Sequence, residues 1–593
     1  EQGKVDEHEG RIEDLPTVHV ENVEGVDFVE KRLALPRGFD DGYHRLRLDV
    51  DGETHEVRLI AAPHRCWGAG LEPTWGVFLP THAVRTARTD GAGDLTDLGR
   101  LADFVAGLGG GVVGTLPMLA TFLDEPFDAS PYAPVSRLFW NELYLDPERC
   151  PELEDCREAR ERLAATDHVR EGTRLREQEL VDYHGQMVHR RAILEPLARH
   201  ALRSGMPEGL ERFRREHPRA DEYARFRAVV EERRAGCRDW PERLRDRHLQ
   251  DGDWDRDAFR YHLYVQWRLD EQLRTLAERA SVNGPGLYLD LPLGVHPDGY
   301  DAWAERDSLL GGVAAGAPPD DFFTRGQNWG FAPFDPEGIR RNRYDYLAAC
   351  LRTQMRHAGV LRIDHVMWMH RIFCVPDGME ATEGLYVRYR PDEVYAVLSL
   401  ESHRNQCIVL GEDLGTVPDE VRETMAAHDV LRMYVLQYEV QPEHEPPVRP
   451  APRASVACMN THDMHPFAAF WEERDVDDRI EMGLLDQGQA DAERSGRRAL
   501  RDAIVRYFGG PEDEAGVLRE ILRYLASSEA RVVLANLEDL WLERLPQNVP
   551  GTGPLERPNW RRRARHTLEE LTEMPEVVDT LRAIDQTRRG AAG

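Results

Sequence analysis

The run Gly359-Val-Leu-Arg-Ile-Asp364-His365 decides the reading of this chain, because it is an apolar stretch of strand length that ends on a carboxylate. Cys407-Ile-Val-Leu-Gly-Glu412 and Val456-Ala-Cys-Met-Asn-Thr-His-Asp463 repeat the arrangement. In a parallel α/β barrel every strand ends at one face, so acids delivered by successive strands converge on one pocket however far apart they lie in sequence. Two carboxylates, with a third that holds charge or hydroxyls, are the minimum for breaking a glycosidic bond through an oxocarbenium-like transition state.

Outward from these runs, strand-like and helix-like patterns alternate. Apolar runs cover Gly76 to Pro80, Gly111 to Met118, Gly286 to Leu291, Gly359 to Asp364, Cys407 to Glu412, Arg432 to Tyr438, Ser455 to Asn460 and Arg531 to Leu537. Helical patterns fall between several of them, at Asp97 to Leu108, Asp392 to Arg404 and Pro418 to Ala427, the last with a proline at its start and acids in its first turn. Eight such repeats predict an α/β fold, a TIM (β/α)8 barrel, over residues 69–593. A mostly helical insertion, dense in Arg and Glu, is expected at about 145–280. Residues 1–68 read as a separate N-terminal β-rich domain, with a hairpin in which Leu46, Leu48 and Val50 alternate with polar neighbours, Asp51-Gly52 makes a tight turn, and Val57, Leu59 and Ile60 continue the return strand.

Composition narrows the function. With 107 acidic against 76 basic residues the formal net charge is -31, which opposes nucleic acid or an anionic membrane as partner and suits a neutral substrate. The only lysines are Lys4 and Lys31, so the barrel region lacks a Schiff-base or phosphate-loop lysine. Eight scattered cysteines without a C-x-x-C pair indicate reduced, mostly buried thiols. Residues 1–30 are polar and acidic, and no apolar run reaches about 18 residues, so a cytoplasmic location is expected. The cluster Gly107, Gly109, Gly110, Gly111 and Gly114 precedes a strand instead of following one, the wrong order for a dinucleotide loop. Neither a G-x-S-x-G elbow nor an H-E-x-x-H zinc helix is present.

The acids differ in their surroundings. Arg362 lies two residues before Asp364, so on a strand both side chains point the same way, and a guanidinium there keeps the carboxylate ionised and aimed, as a nucleophile requires. Glu412 follows an almost wholly apolar strand, where desolvation raises a carboxyl pKa toward that of a proton donor.

The runs Leu361-Arg-Ile-Asp-His-Val-Met, Gly411-Glu-Asp-Leu-Gly-Thr-Val-Pro and Thr461-His-Asp closely resemble the second, third and fourth signature regions of the 4-α-glucanotransferases, the amylomaltases of glycoside hydrolase family 77. Further matches are Ser130-Pro-Tyr-Ala-Pro-Val-Ser-Arg, Gly286-Leu-Tyr-Leu-Asp-Leu-Pro-Leu-Gly-Val, Gly326-Gln-Asn-Trp-Gly, Asn548-Val-Pro-Gly-Thr and Asn559-Trp-Arg-Arg. The resemblance implies transfer of α-1,4-glucan segments between maltooligosaccharides with retention, Asp364 as nucleophile, Glu412 as acid then base and Asp463 as stabiliser. It further implies that Arg362 orients Asp364, that His365, His462 and Asp290 bind sugar at the cleavage subsite, that Gln327, Asn328 and Trp329 lie on an acceptor-side loop, and that Tyr132 stacks on sugar. It implies no metal and no organic cofactor. Met464 and Val366-Met-Trp-Met369 depart from the residues many family members carry at those places. The rival readings are an α-1,4-glucan hydrolase with the same acids and a non-catalytic glucan-binding protein.

Overall fold

The computed structural model describes residues 7, 9–35, 38–50, 52–68, 72–320, 323–509, 513–553 and 555–592. The chain divides into two compact units, Glu1–His64 and Arg65–Gly593.

The first unit holds two antiparallel hairpins, β1 (Thr17–Val23) with β2 (Val26–Lys31) and β3 (Gly42–Val50) with β4 (Glu53–Ala61). In the second hairpin Leu46 faces Val57 and His44 faces Leu59. Of its turn, Gly52 has φ of 85° and Asp51 lies outside the described residues. The first hairpin was not singled out in the sequence. Its two-residue turn, Glu24-Gly25, has φ of 53° and 88°, the paired positive values whose twist matches that of the flanking strands.

The second unit is a closed barrel of eight parallel strands, with helices following most of them. In chain order its strands are β5 (Thr74–Phe78), β6 (Val112–Gly114), β7 (Gly286–Leu291), β10 (Val360–Ile363), β13 (Ile408–Gly411), β14 (Leu431–Val435), β15 (Ser455–Cys458) and β16 (Val532–Asn536). Each overlaps one of the eight apolar runs, although β5 starts two residues and β14 one residue ahead of its run, β6 keeps only three residues and the end of the sixth run turns into a helical turn at Leu436–Glu439. Inward-facing Val112, Tyr288, Val360, Ile408, Leu410, Leu431, Val456 and Leu534 fill the barrel. Burying each such side chain contributes about 1.5–3 kcal/mol. Gly359 begins its strand where a Cβ would meet Pro285 O at 1.6 Å, so only glycine allows β10 to approach β7 there.

Helices Arg157–Leu163, Thr166–Glu177, Tyr183–Ala201, Glu208–Glu216, Ala220–Arg233 and Arg256–Ala280 fall between β6 and β7. The barrel also carries a four-stranded sheet that the sequence did not disclose, in the order β12 (Leu385–Arg388), β11 (Arg371–Pro376), β8 (Val313–Ala317) and β9 (Gln327–Asn328). Gln327 and Asn328 are therefore an edge strand and not a free loop, held by Ala317 and Gly316 of β8. None of the described helices is long and apolar enough to cross a membrane.

Candidate active site

Strand periodicity assembles the site in layers. Val360, Arg362 and Asp364 share one face of their strand, as do Ile408, Leu410 and Glu412. Val360 is in register with Tyr288 and Ile408, and Arg362 with Asp290 and Leu410. An apolar layer thus lies below a charged one, and Asp364 and Glu412 come next, at the mouth.

Arg362 is 4% exposed, so its charge must be met internally. Its Nη1 donates to Asp290 Oδ1 at 2.9 Å, to Asp290 Oδ2 at 2.8 Å and to Asp364 Oδ1 at 2.9 Å. Leu293 N donates to Asp364 Oδ2 at 3.4 Å, so both oxygens of Asp364 are held. Asp290 has no exposed side-chain surface, and it supports Arg362 from below.

Glu412 accepts from Leu414 N at 2.7 Å through Oε1 and from His365 N at 3.0 Å through Oε2. Burial pushes its carboxyl up to about 7, helped by the Asp364 charge and opposed by Arg362 and these two donors. His365 aims its N–H at Glu412 from a left-handed backbone, φ 47°, a conformation a non-glycine residue keeps only where its surroundings impose it. Burial, with Arg362 adding and Asp364 opposing, lowers the His365 imidazole to about 4, so it is neutral near pH 7.

Asp463 accepts from Asn548 Nδ2 at 2.7 Å through Oδ1, and its Oδ2 lies 3.3 Å from His462 Nε2. Desolvation raises its pKa, but His462 and Asn548, with Arg362, outweigh that and hold the carboxyl at about 2. The Tyr132 hydroxyl donates to Asp290 Oδ2 at 2.7 Å and lies 2.6 Å from His462 Nε2. A hydroxyl has one proton, so the Tyr132 oxygen must accept from His462 Nε2–H. The chain Arg362–Asp290–Tyr132–His462–Asp463 therefore joins the nucleophile side of the site to the stabiliser side. Tyr132 also stacks on His462 at 5.3 Å, leaving its ring engaged with protein.

Trp329 packs edge-on against His365 with centroids 5.2 Å apart, and its Nε1 donates to Gln327 Oε1 at 3.3 Å. The edge strand β9 reaches the acids through that contact. Asn328 Oδ1 instead accepts from Gly330 N at 2.9 Å, within its own turn.

Three residues here had no role in the sequence reading. Asn548 fixes Asp463, Phe78 stacks on His462 at 5.8 Å, and Trp560 lies 5.5 Å from Tyr132 and 6.1 Å from His462. Phe78 ends β5, and the strand-end rule that found the acids points to it too. Asn548 and Trp560 sit in quoted matching runs but on loops, where no period tells which side chain turns inward. Among the described residues no group of three or more His, Cys, Asp or Glu is arranged to hold a metal ion.

The arrangement supplies a guanidinium-bound carboxyl group, Asp364, beside a second, Glu412, that burial pushes up to about 7. Pairs whose environments differ in this way divide acid and nucleophile roles.

The sequence profile of the family described as 4-alpha-glucanotransferase matches residues 79–569, and that of the MalQ N-terminal beta sandwich domain matches residues 1–63. The chain is similar to the 4-alpha-glucanotransferase of Mycobacterium tuberculosis, 33% identical over 572 residues that cover 90% of this chain and 77% of that one. It is similar also to the 4-alpha-glucanotransferase of Haemophilus influenzae, 30% identical over 566 residues, 88% of this chain and 80% of that one. Its fold is similar to that of amylomaltase from Corynebacterium glutamicum, with a TM-score of 0.81 at 24% identity, covering 97% of this chain and 84% of that chain.

Proposed function

The chain belongs to the 4-alpha-glucanotransferases of glycoside hydrolase family 77 and acts on α-1,4-glucans, and from that premise we propose how its residues divide the reaction. The Asp364 carboxylate attacks the anomeric carbon of the donor sugar while Glu412 gives its proton to the departing 4-oxygen, so the glycosidic C–O bond breaks as the β-glucosyl–Asp364 ester forms. Glu412, now a carboxylate, takes the proton from the 4-hydroxyl of an acceptor glucan. That oxygen attacks the anomeric carbon, and Asp364 leaves. Two inversions give retention.

Arg362 bonds Asp364 and aims it. Asp463 grips ring hydroxyls of the distorted sugar, with His462 and Asn548 holding it as an anion. His365 and His462 contact the sugar at the cleavage subsite, and Asp290 and Tyr132 brace that subsite through Arg362 and His462. Gln327, Asn328 and Trp329 shape the acceptor side. The substrates are maltooligosaccharides, neutral chains suited to an acidic protein, and the location is the cytoplasm.

The single observation that carries this reading is the pairing of Arg362-bound Asp364 with a Glu412 whose pKa is pushed up to about 7. Incubation with maltotriose is the direct test. Transfer gives glucose together with a ladder of longer oligomers, whereas glucose and maltose alone would establish hydrolysis. A substrate-bound crystal structure is expected to place the Asp364 and Glu412 carboxyls about 5–5.5 Å apart, as retention requires.

The proton on Glu412 also fixes a pH dependence. Its carboxyl is the acid in the first step, so kcat/KM is expected to fall as pH rises through about 7, with a slope of one proton. Asp463, held near 2, stays ionised across that range. A rate that remained flat to roughly pH 9 would remove Glu412 from the acid's role.

A further inference from the structure

Beside the catalytic cleft, the segment that carries Asn548 folds back to Asn559, whose Oδ1 accepts from Val549 N at 3.1 Å, and a cavity of about 180 Å³ opens beneath it. His465, Arg474, Asp478, Arg544, Arg557 and Arg562 supply its charged lining. Four guanidiniums face one carboxylate there, a local reversal of charge on a chain whose net charge is -31.

Three of the four cations are already matched. Arg474 meets Glu472 at 2.7 Å, Arg544 meets Glu472 at 2.7 Å and Glu514 at 3.3 Å, and Arg557 meets Glu481 at 2.6 Å and Asp478 at 3.5 Å. Asp478 is taken as well, by His465 at 2.7 Å. Arg562 differs from the rest. Its Nε donates to Pro546 O at 2.9 Å, but no carboxylate among the described residues lies within 4.0 Å of it, and its two terminal nitrogens have no acceptor there. The side chain is half-buried, and burial lowers its pKa from the usual arginine value, with Glu543, Glu538, Asp478 and Glu179 only partly offsetting this. Glu543 is committed elsewhere, to Arg565 at 3.1 Å, and Glu538 to Gln547 at 2.7 Å.

A half-buried guanidinium without a counter-charge is costly to keep unless something pairs with it. The planar N–H fork fits an oxyanion, and a neutral glucan needs no such cation. We propose that this cavity is an oxyanion site, in which the free N–H groups of Arg562, with Arg474 and Arg557 around them, bind a phosphoryl group, either inorganic phosphate or the phosphate of a sugar phosphate. The site adjoins the cleft along the chain, since His465 is two residues past Asp463 and Val549 follows Asn548. Binding requires no glucan and no turnover, so it is testable apart from the catalytic roles.

The experiment follows the thermal unfolding midpoint of the full chain at constant ionic strength, titrated with inorganic phosphate, with glucose 1-phosphate and with maltose. Phosphate is expected to raise the midpoint saturably, and Arg562→Gln to weaken its binding at least about tenfold, the loss of a charge-assisted hydrogen bond. Arg474→Gln, at a side chain that is 48% exposed, keeps the test usable if the first variant is unstable, and is expected to weaken phosphate binding in the same direction. Tighter binding of glucose 1-phosphate than of phosphate supports the site and makes a sugar phosphate its ligand, whereas equal binding supports the site and makes free phosphate sufficient. No saturable shift with either anion, or a shift unchanged in both variants, overturns the proposal. An Arg562-dependent shift with maltose alone overturns it as well, by making the cavity a neutral sugar subsite.

Discussion

Asp364→Ala is expected to abolish transfer and hydrolysis together, a loss of at least about 10⁴-fold, because the proposed covalent ester forms on this carboxylate, the catalytic acid that Arg362 bonds. Glu412→Ala should fail differently. A glycosyl fluoride leaves without a proton, so this variant still forms the glucosyl ester from it and then stalls, since the acceptor hydroxyl finds no base. Intact-protein mass spectrometry should therefore show a covalent glucosyl adduct on the Glu412→Ala protein, and peptide mapping should place it on Asp364. An adduct on Asp463 would reverse the assignment of nucleophile and stabiliser. Absence of an adduct in both this variant and the native enzyme would argue against a covalent intermediate altogether.

The second large effect concerns Arg362, whose one nitrogen, Nη1, serves both Asp290 and Asp364. Arg362→Ala is expected to lower turnover about 10³-fold or more, through lost orientation and charge support of the nucleophile. It should also lower stability by about 3–5 kcal/mol, because Asp290 is left as a buried carboxylate without its cation. Adding Asp290→Asn removes that orphaned charge, so the double variant should regain much of the thermal midpoint while turnover stays low. A single variant that turned over normally would refute the orienting role. One that lost turnover yet melted like the parent would show that Asp290 finds another way to be neutral or hydrated.

The ladder Val360, Arg362, Asp364 was legible because strand side chains alternate with a period of two, so an inward-facing arginine must point the same way as the acid two residues on. Glu412 was legible for a related reason: an apolar strand before an acid means a dry environment, and a dry carboxyl holds its proton. Asp290 was legible as a site residue but not as a wholly buried one, since its burial follows from sitting in register with Arg362 one layer below the mouth. In the four-stranded sheet the edge strand β9, which carries Gln327 and Asn328, was hidden because it is only two residues long. Stretches of that size carry too few positions for a period to register.

By itself the sequence determined the barrel, its eight strands and the identity of the acids at their ends, because these depend on local alternation and on the rule that parallel strands finish at one face. Its two lysines, Lys4 and Lys31, also excluded a Schiff-base or phosphate-loop lysine from the barrel region. Tertiary structure alone decided which distant groups hold the acids in place. The Tyr132 hydroxyl reaches Asp290 across 158 positions and His462 across 330, Asn548 reaches Asp463 across 85, and the His365 N–H reaches Glu412 across 47. No local pattern encodes a contact at such separations, because it exists only after the barrel has closed and the loops have packed over its mouth. The unmatched charge of Arg562 is of the same kind. Composition counts an arginine, but only the folded arrangement of its neighbours leaves it without a carboxylate partner among the described residues.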